Sequence, residues 1–430
     1  MPDEEGWSSL GRVSLQSAGC KLNQAETETL ARSFQHAGYQ VVTPEDPADI
    51  CLLNTCTVTH TADRKCRNML RQARRRNPNA LVVAVGCYVQ RARDVLENMD
   101  EVDLVIDNGA KERTLDVLCS SVAGFKRAQP ARSAGRPSSR TRAFVKIQEG
   151  CDHNCAFCIV PSVRGSERSR PENDVMSEVI SRVGEGYKEI VLTGTRIGRY
   201  NRNGGLSGLV RCILAEVDLP RLRLSSLEPG DVTPELLRLW EDGRLCPHIH
   251  MSLQSGSDTV LERMGRGYSI GQYRTAVELA RQAVPDLALT TDVIVGFPGE
   301  SEAQFEETRD FCQRMGFARM HVFPYSPRPG TAAAAYSGHL ATGEIRKRSQ
   351  AMLRLACESA REFRESFVGR RSRVLLEERR GTLWSGLTDN YLRVYLGSRE
   401  PLANSVREVD IVGVHDGGLT GRLVTQLQGS

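Results

Sequence analysis

The chain has 430 residues, 40% hydrophobic and 26% charged, with a formal net charge of +4. This is the balance of a globular protein of two to four domains, at roughly 100–200 residues each, and not of a disordered or fibrous chain. No run of about 18 apolar residues occurs, so no membrane span is expected. The start carries Asp3, Glu4 and Glu5 with no apolar segment, which argues against a secretory signal. Thirteen scattered cysteines fit metal or catalytic thiols in a reducing cytoplasm better than a disulfide framework.

Between residues 10 and 125 short apolar runs alternate with helical segments, which predicts a parallel sheet flanked by helices. Val13–Ser17 reads as a strand, and Asn23 followed by Glu26 predicts a capped helix start running to Gly38. Tyr39–Thr43, Asp49–Asn54, Ala80–Val85 and Leu104–Ile106 read as strands, with helices near 61–76 and 90–99. Cys20, Cys56 and Cys87 each follow one of these strands. In an open parallel sheet the C-terminal strand ends share one edge, so three thiols far apart in sequence can meet there. Read singly, each is more often a small buried apolar residue, and the shared position after a strand reverses that reading. Cys51, Cys66, Cys119, Cys212, Cys246, Cys312 and Cys357 lack that placement and keep the plain reading.

Seven basic residues fall between Arg64 and Arg76, which is either a solvated helix face or a phosphate-binding stripe. Residues 126–142 form a linker rich in Ala, Ser, Pro and Arg, with six basic residues and no acidic one. It is a second candidate for RNA contact.

Cys151, Cys155 and Cys158 follow in the spacing C-x3-C-x2-C. A tetrahedral zinc site wants a fourth ligand, usually from a second C-x2-C pair, and none follows; His153 lies inside the loop, poorly placed to close the same site. Three thiolates on a [4Fe-4S] cubane leave one iron open to a substrate or cofactor. From 143 to 326 six strand candidates, each followed by a helical stretch, form a run too short for a complete eight-fold barrel: Ala143–Gln148, Glu189–Thr193, Leu222–Leu227, His248–Leu253, Leu287–Val295 and Arg319–Phe323. A partial (β/α)6 barrel over 143–368 is expected, with its chemistry on the loops after the strands. Those loops are polar or glycine-rich, at Gly194, Ser225 to Glu228, Gln254 to Ser257 and Gly296 to Glu300, where backbone can approach a ligand and side chains can meet an amino acid or ribose. Thr342–Phe367 reads as a long helix packing across the barrel, with Glu344 to Arg348 mostly exposed. From 369 to 430 short strands and turns predict a small β-barrel.

The cysteine loop, with an aromatic residue at Phe157 before its third cysteine, resembles the radical S-adenosylmethionine (SAM) superfamily signature. The flanking strings Lys146 to Gly150 and Arg164 to Pro171 narrow the resemblance to its methylthiotransferases, as do Gly19-Cys20-Lys21, Asn54-Thr55-Cys56 and Gly86-Cys87-Tyr88. Such membership implies an α/β protein of three domains: an N-terminal parallel-sheet domain with an auxiliary [4Fe-4S] cluster on Cys20, Cys56 and Cys87, a partial (β/α)6 radical SAM barrel with a second [4Fe-4S] cluster on Cys151, Cys155 and Cys158, and a C-terminal TRAM-like RNA-binding β-barrel. It further implies SAM as cofactor, with Gly194, Glu228, Gln254 and Gly296 among its contacts and Arg266 a candidate for its carboxylate or for an RNA phosphate.

Arg223 to Pro229, His321 to Ser326 and Pro329 to Ala332 look most like the branch that methylthiolates C2 of N6-threonylcarbamoyladenosine beside the tRNA anticodon. Sister branches act on isopentenyladenosine in tRNA or on an aspartate of a small-subunit ribosomal protein. The partners implied are a tRNA anticodon stem-loop, a flavodoxin- or ferredoxin-like reductant and a sulfur donor, for a cytoplasmic monomer with no membrane. Outside enzyme chemistry, the alternative is an iron-sulfur RNA-binding protein whose clusters are structural; three-cysteine sets speak against it, since structural clusters usually have four. No residue stands out as a general base.

Overall fold

The computed structural model describes residues 11–122 and 141–424. Of the basic linker expected at 126–142, only the last two positions fall within the described residues. The chain divides into two compact units, one of residues 1–136, 149–167 and 326–334, the other of 137–148, 168–325 and 335–430.

In the first unit, β1 (Arg12–Ser17), β2 (Gln40–Val42), β3 (Ile50–Thr55), β4 (Leu81–Gly86) and β5 (Leu104–Ile106) form one parallel sheet in the order β2-β1-β3-β4-β5. Every residue of β3 is buried, as a central strand covered on both faces requires. Helices α1 (Lys21–His36) and α2 (His60–Arg76) follow β1 and β3. After β4 come α3 (Cys87–Arg91) and α4 (Arg93–Glu97), so the single helix expected near 90–99 is two short ones broken at Ala92, whose φ of −146° is not helical. Helix α5 (Thr114–Ser121) packs with α1 on one face of the sheet, α2 to α4 lie on the other, and α6 (Val160–Arg164) comes from the segment after the triple-cysteine loop.

The start of α1 differs from the sequence expectation. Cys20, extended at φ −86° and ψ 169°, is the N-cap and provides no side-chain cap; Asn23 and Glu26 lie inside the helix and are buried. The Asn23 Nδ2 donates to the carbonyls of Ala18 (2.7 Å) and Thr55 (3.0 Å), so it ties strand ends together where a capping residue would have met its own helix. Gly38, with φ +86°, lies just beyond the C-cap Ala37 and takes the left-handed turn that ends the helix.

The second unit contains the six parallel strands in chain order. Arg142–Lys146, Glu189–Thr193 and Arg221–Leu224 form one sheet; Ser226–Leu227, His248–Met251, Ala288–Val295 and Arg319–Pro324 form the next. The third strand leaves the first sheet at Ser225 and enters the second at Ser226, so the expected run Leu222–Leu227 is interrupted there. Strand residues such as Val145, Leu192, Leu224, Met251 and Val293 pack with helix residues Val179, Leu209, Tyr273 and Phe311 in one core. This is the partial barrel. The long helix Thr342–Glu365 packs on its last strand. Contrary to expectation its Arg348 is buried, because Nη1 donates to Glu300 Oε2 (2.8 Å) while Nη2 reaches Glu344 Oε1 (2.6 Å) and Glu302 Oε2 (3.1 Å).

Arg371–Arg380, Leu383–Thr388, Arg393–Gly397, Ser405–His415 and Gly418–Leu423 close into a five-stranded barrel around Val374, Leu376, Trp384, Val394, Leu396, Val409, Ile411 and Leu419. It seats on the partial barrel through arginine: Arg221 donates to the carbonyls of Leu387 (2.9 Å) and Arg373 (2.5 Å), and Arg223 to that of Asp389 (2.8 Å). Among the described residues no helix is long and apolar enough to cross a membrane.

Candidate metal centres and ligand cradle

The C-terminal ends of β1, β3 and β4 bring Cys20, Cys56 and Cys87 to one edge of the sheet. Gly19, at φ +95°, lets the Cys20 loop pass so close to Cys56 that a Cβ there would stand 2.5 Å from the Cys56 Sγ. Gly86, at φ +103°, does the same for the Cys87 turn, where a Cβ would meet Asn54 Oδ1 at 2.5 Å. Burial raises the Cys56 thiol pKa to about 12, and Cys20, Cys87 and Cys66 add to the rise by like charge. Cys66, read from sequence as a plain buried cysteine, receives a hydrogen bond from the Cys56 backbone N–H (3.3 Å), and its own thiol faces the Cys56 carbonyl (3.4 Å).

The second cysteine set is local. Cys151, Cys155 and Cys158 line a loop entered at Gly150 (φ +74°), where a Cβ would stand 2.0 Å from the Ser166 carbonyl oxygen. The Cys151 N–H donates to Gly165 O (3.1 Å), and the Cys158 N–H to Cys155 O (3.0 Å). His153 stays within the loop, its N–H donating to Cys151 Sγ (3.4 Å) and its Nδ1 3.5 Å from Cys155 Sγ.

Among the described residues no three Cys, His, Asp or Glu side chains converge on a single metal-ion position. A [4Fe-4S] cubane offers each of three thiolates a separate iron. The surroundings fit an anionic group as well. Glu26 and Asn23 receive Arg164, whose Nη1 donates to Glu26 Oε1 (2.8 Å) and Nη2 to Asn23 Oδ1 (2.6 Å). Lys111 Nζ donates to Glu26 Oε2 (2.6 Å) and Asn108 Oδ1 (2.9 Å), and Asn108 Nδ2 donates to Val163 O (2.6 Å) and stands 3.6 Å from Cys87 Sγ. Burial works against the Arg164 charge, but Cys87 and Glu26 outweigh it and hold its pKa well above the ordinary value. Burial lowers the Lys111 pKa, with Glu26 opposing. Cys87, Ile159 and Val163 pack together, so α6 carries the end of the triple-cysteine segment onto the turn that bears Cys87.

Lys111 and Asn108 do not stand out in the sequence, and Arg164 enters it only as the start of the Arg164 to Pro171 string, with nothing to mark Glu26 as its partner. Arg164 and Glu26 are 138 positions apart, and no local pattern joins them.

The residues expected to hold a ligand in the second unit lie at strand ends. Glu228 sits between two arginines, forming ion pairs with Arg196 and, at 2.7 Å, with Arg266, whose guanidinium lies 4.9 Å from the Tyr268 ring centre. Next to this group the Thr195 Oγ1 and Arg196 Nε are buried without a hydrogen-bond partner, as donors awaiting a ligand would be. Gly194 packs on Gln148, where a Cβ would stand 2.7 Å from its carbonyl oxygen. Gln254 is held at φ +67° by bonds from its N–H to Asp292 O (2.8 Å) and to its carbonyl from Ile294 N–H (2.9 Å). Gly296, at φ +75°, donates its N–H to Glu300 Oε2 (2.7 Å) and packs under Ile345. Arg196 is the member of this group that sequence reasoning missed.

Residues 12–107 match the model described as Uncharacterized protein family UPF0004, and residues 145–312 match the Radical SAM superfamily. The threonylcarbamoyladenosine tRNA methylthiotransferase MtaB of Thermotoga maritima is 36% identical over 92% of this chain and 94% of its own length. The tRNA-2-methylthio-N(6)-dimethylallyladenosine synthase of a Jannaschia species is 33% identical over 96% of this chain and 94% of its own. Among solved structures, the radical SAM methyltransferase TsrM of Kitasatospora setae, described with cobalamin and a [4Fe-4S] cluster bound, superposes with a TM-score of 0.57 at 15% identity, covering 76% of this chain and 77% of its own, a likeness of fold.

Proposed function

Because the chain belongs to the radical SAM methylthiotransferases, we propose that it inserts a methylthio group at C2 of N6-threonylcarbamoyladenosine beside the anticodon of tRNA. The observation that carries this reading is that one compact unit holds two separate three-cysteine sets. Cys151, Cys155 and Cys158 would hold one [4Fe-4S] cluster and Cys20, Cys56 and Cys87 the other. When bound, the first supplies with SAM a hydrogen-abstracting radical, which an unactivated adenine C–H demands, and the second supplies the sulfur.

The chain's own residues prepare for that chemistry. Gly150 and Gly19 give the two loops the left-handed turns that aim their cysteines. Glu228, bracketed by Arg196 and Arg266, with the neighbouring Thr195 Oγ1 and Arg196 Nε, is the proposed polar end of the SAM cradle; Gly194, Gln254 and Gly296 expose backbone along it. The closed C-terminal barrel in one unit, and the exposed cations of α2 in the other, are each proposed to contact the tRNA. A low-potential flavodoxin- or ferredoxin-like reductant and a sulfur donor complete the set of partners, and the reaction belongs with tRNA in the cytoplasm.

Nucleoside mass spectrometry of total tRNA, from cells with and without the gene, tests the proposal. Loss of the methylthio group from threonylcarbamoyladenosine, restored by the wild-type chain but not by Cys155→Ala or Cys56→Ala, is the expected result. If that nucleoside is unchanged and methylthiolated isopentenyladenosine or the ribosomal protein's mass responds, the substrate assignment fails.

A further inference from the structure

Two buried carboxylates stand beside the Cys20, Cys56 and Cys87 triad, and each is shared by two cations. Glu26 receives Arg164 and Lys111. Asp63 Oδ2 receives Arg328 Nη2 (2.7 Å) and Arg91 Nη2 (2.8 Å). Both groups are wired to cysteine-bearing turns. Asn23 joins Arg164 to the Cys20 thiol, at 2.6 Å and 3.9 Å, and Asn108 joins Lys111 to Cys87. Thr57, next to Cys56, accepts from Arg328 Nη2 (2.8 Å) and Arg91 Nε (2.6 Å) and donates to Asp63 Oδ1 (2.6 Å).

Glu26, Lys111, Arg164, Asp63 and Arg328 are each at most 8% exposed, and Arg328 leaves Nε and Nη1 buried without partners. Among the described residues the only further carboxylate paired to Arg164 is Glu149, 3.9 Å away and partly exposed. A buried cation without full compensation is costly unless something anionic offsets it. A [4Fe-4S] core on three thiolates is anionic, and becomes more so on reduction.

We propose that the Arg164–Lys111 pair on Glu26 and the Arg328–Arg91 pair on Asp63 form a cationic collar that raises the reduction potential of the auxiliary cluster. The inference rests on the proposed placement of that cluster on Cys20, Cys56 and Cys87. Charge near a cluster and hydrogen bonds around its sulfurs are the means by which a protein sets its potential. The collar therefore favours the auxiliary cluster's reduced, more negative state. The four cations act through the cluster and are positioning residues.

The test uses the full-length chain with Cys151→Ala, Cys155→Ala and Cys158→Ala, reconstituted anaerobically with iron and sulfide so that any cluster is the auxiliary one. Its midpoint is read by redox titration followed by electron paramagnetic resonance. Lys111→Met or Arg328→Met should lower the midpoint by at least the equivalent of a tenfold fall in the reduced-to-oxidised ratio, about 59 mV for one electron. Glu26→Gln or Asp63→Asn, near-isosteric and opposite in charge effect, should raise it. Lys111→Arg and Arg328→Lys should stay near the parent value. This reversal of sign separates an electrostatic role from damage to packing, which has no reason to follow charge. If the methionine variants do not take up iron, the carboxamide variants decide alone. Loaded variants whose midpoints ignore the charge changes, or shift the same way for both signs, overturn the collar. A parent that takes up no iron overturns the cluster placement itself.

Discussion

Arg223 grips Glu189 with two hydrogen bonds, Nε to Oε1 at 2.7 Å and Nη2 to Oε2 at 3.0 Å, and neither side chain has any exposed surface. The pair lies where the second and third strands of the partial barrel run side by side, and Arg223 also reaches the C-terminal barrel through Asp389 O and the Tyr391 ring, 4.4 Å from its guanidinium. Breaking a buried pair from one side leaves an uncompensated charge. Arg223→Met is expected to cost about 3–5 kcal/mol, with Glu189→Gln in the same chain recovering part of it. Urea unfolding of the three proteins measures both numbers.

The same pair has a pH signature. Burial pushes the Glu189 carboxyl pKa up, but Arg223, then Arg221 and Arg142, outweigh it and hold the value below that of an ordinary glutamate. The folded state thus binds fewer protons than the unfolded chain, whose glutamates titrate near about 4.3. The stability this contributes is complete above that value and is lost as pH falls through the folded pKa. Urea midpoints taken from about pH 5.5 downward should therefore fall more steeply for wild type than for Glu189→Gln. Equal slopes would remove Glu189 as the source.

Two glycines separate the cysteine sets experimentally. At Gly150 an added Cβ would stand 2.0 Å from a backbone oxygen, and at Gly19 2.5 Å from the Cys56 Sγ, both at positive φ. Strained backbone of this kind costs about 1–3 kcal/mol before the clash is counted. Gly150→Ala should halve the iron bound per chain and abolish reductive SAM cleavage. Gly19→Ala should also halve the iron but leave SAM cleavage to 5′-deoxyadenosine intact while stopping methylthio transfer. Iron assay and chromatography of the SAM products read both, and identical behaviour of the two variants would refute the assignment of separate roles.

The strands and the cysteines at their ends were legible because both are local signals: β3 is an unbroken buried run, and Cys20, Cys56 and Cys87 stand a few residues past apolar stretches. The partners around them were not. Asn23 and Glu26 have the spacing of a capping box, and only the folded chain shows them turned toward Arg164 and Lys111. Arg348 sits in a charged stretch that reads as solvent-facing, yet Glu300, 48 positions away, draws it inward. Side chains that find partners over such separations leave no periodicity to read.

The basic helix α2 divides by the same logic. Arg74 is committed within the fold, to Asp103 (2.5 Å) and to the carbonyls of Pro78 and Ala80 (each 2.8 Å), while Arg71 and Arg76 face Glu101 and Glu45 at 3.6 and 3.8 Å. Arg67 donates to the Tyr88 hydroxyl at 2.5 Å. Arg64, Lys65 and Arg75 are exposed and form no ion pair among the described residues. A phosphate backbone is bound by cations that give up water and counterions, not ones already spent on carboxylates. Replacing Arg64, Lys65 and Arg75 by Gln should weaken tRNA binding and reduce the slope of log affinity against log salt by about one for each phosphate released, with folding stability unchanged. Arg74→Gln should do the reverse, lowering stability and leaving the salt slope alone. Filter binding across a salt series, run beside thermal unfolding, distinguishes them; a triple variant with wild-type slope would show that α2 does not touch the RNA.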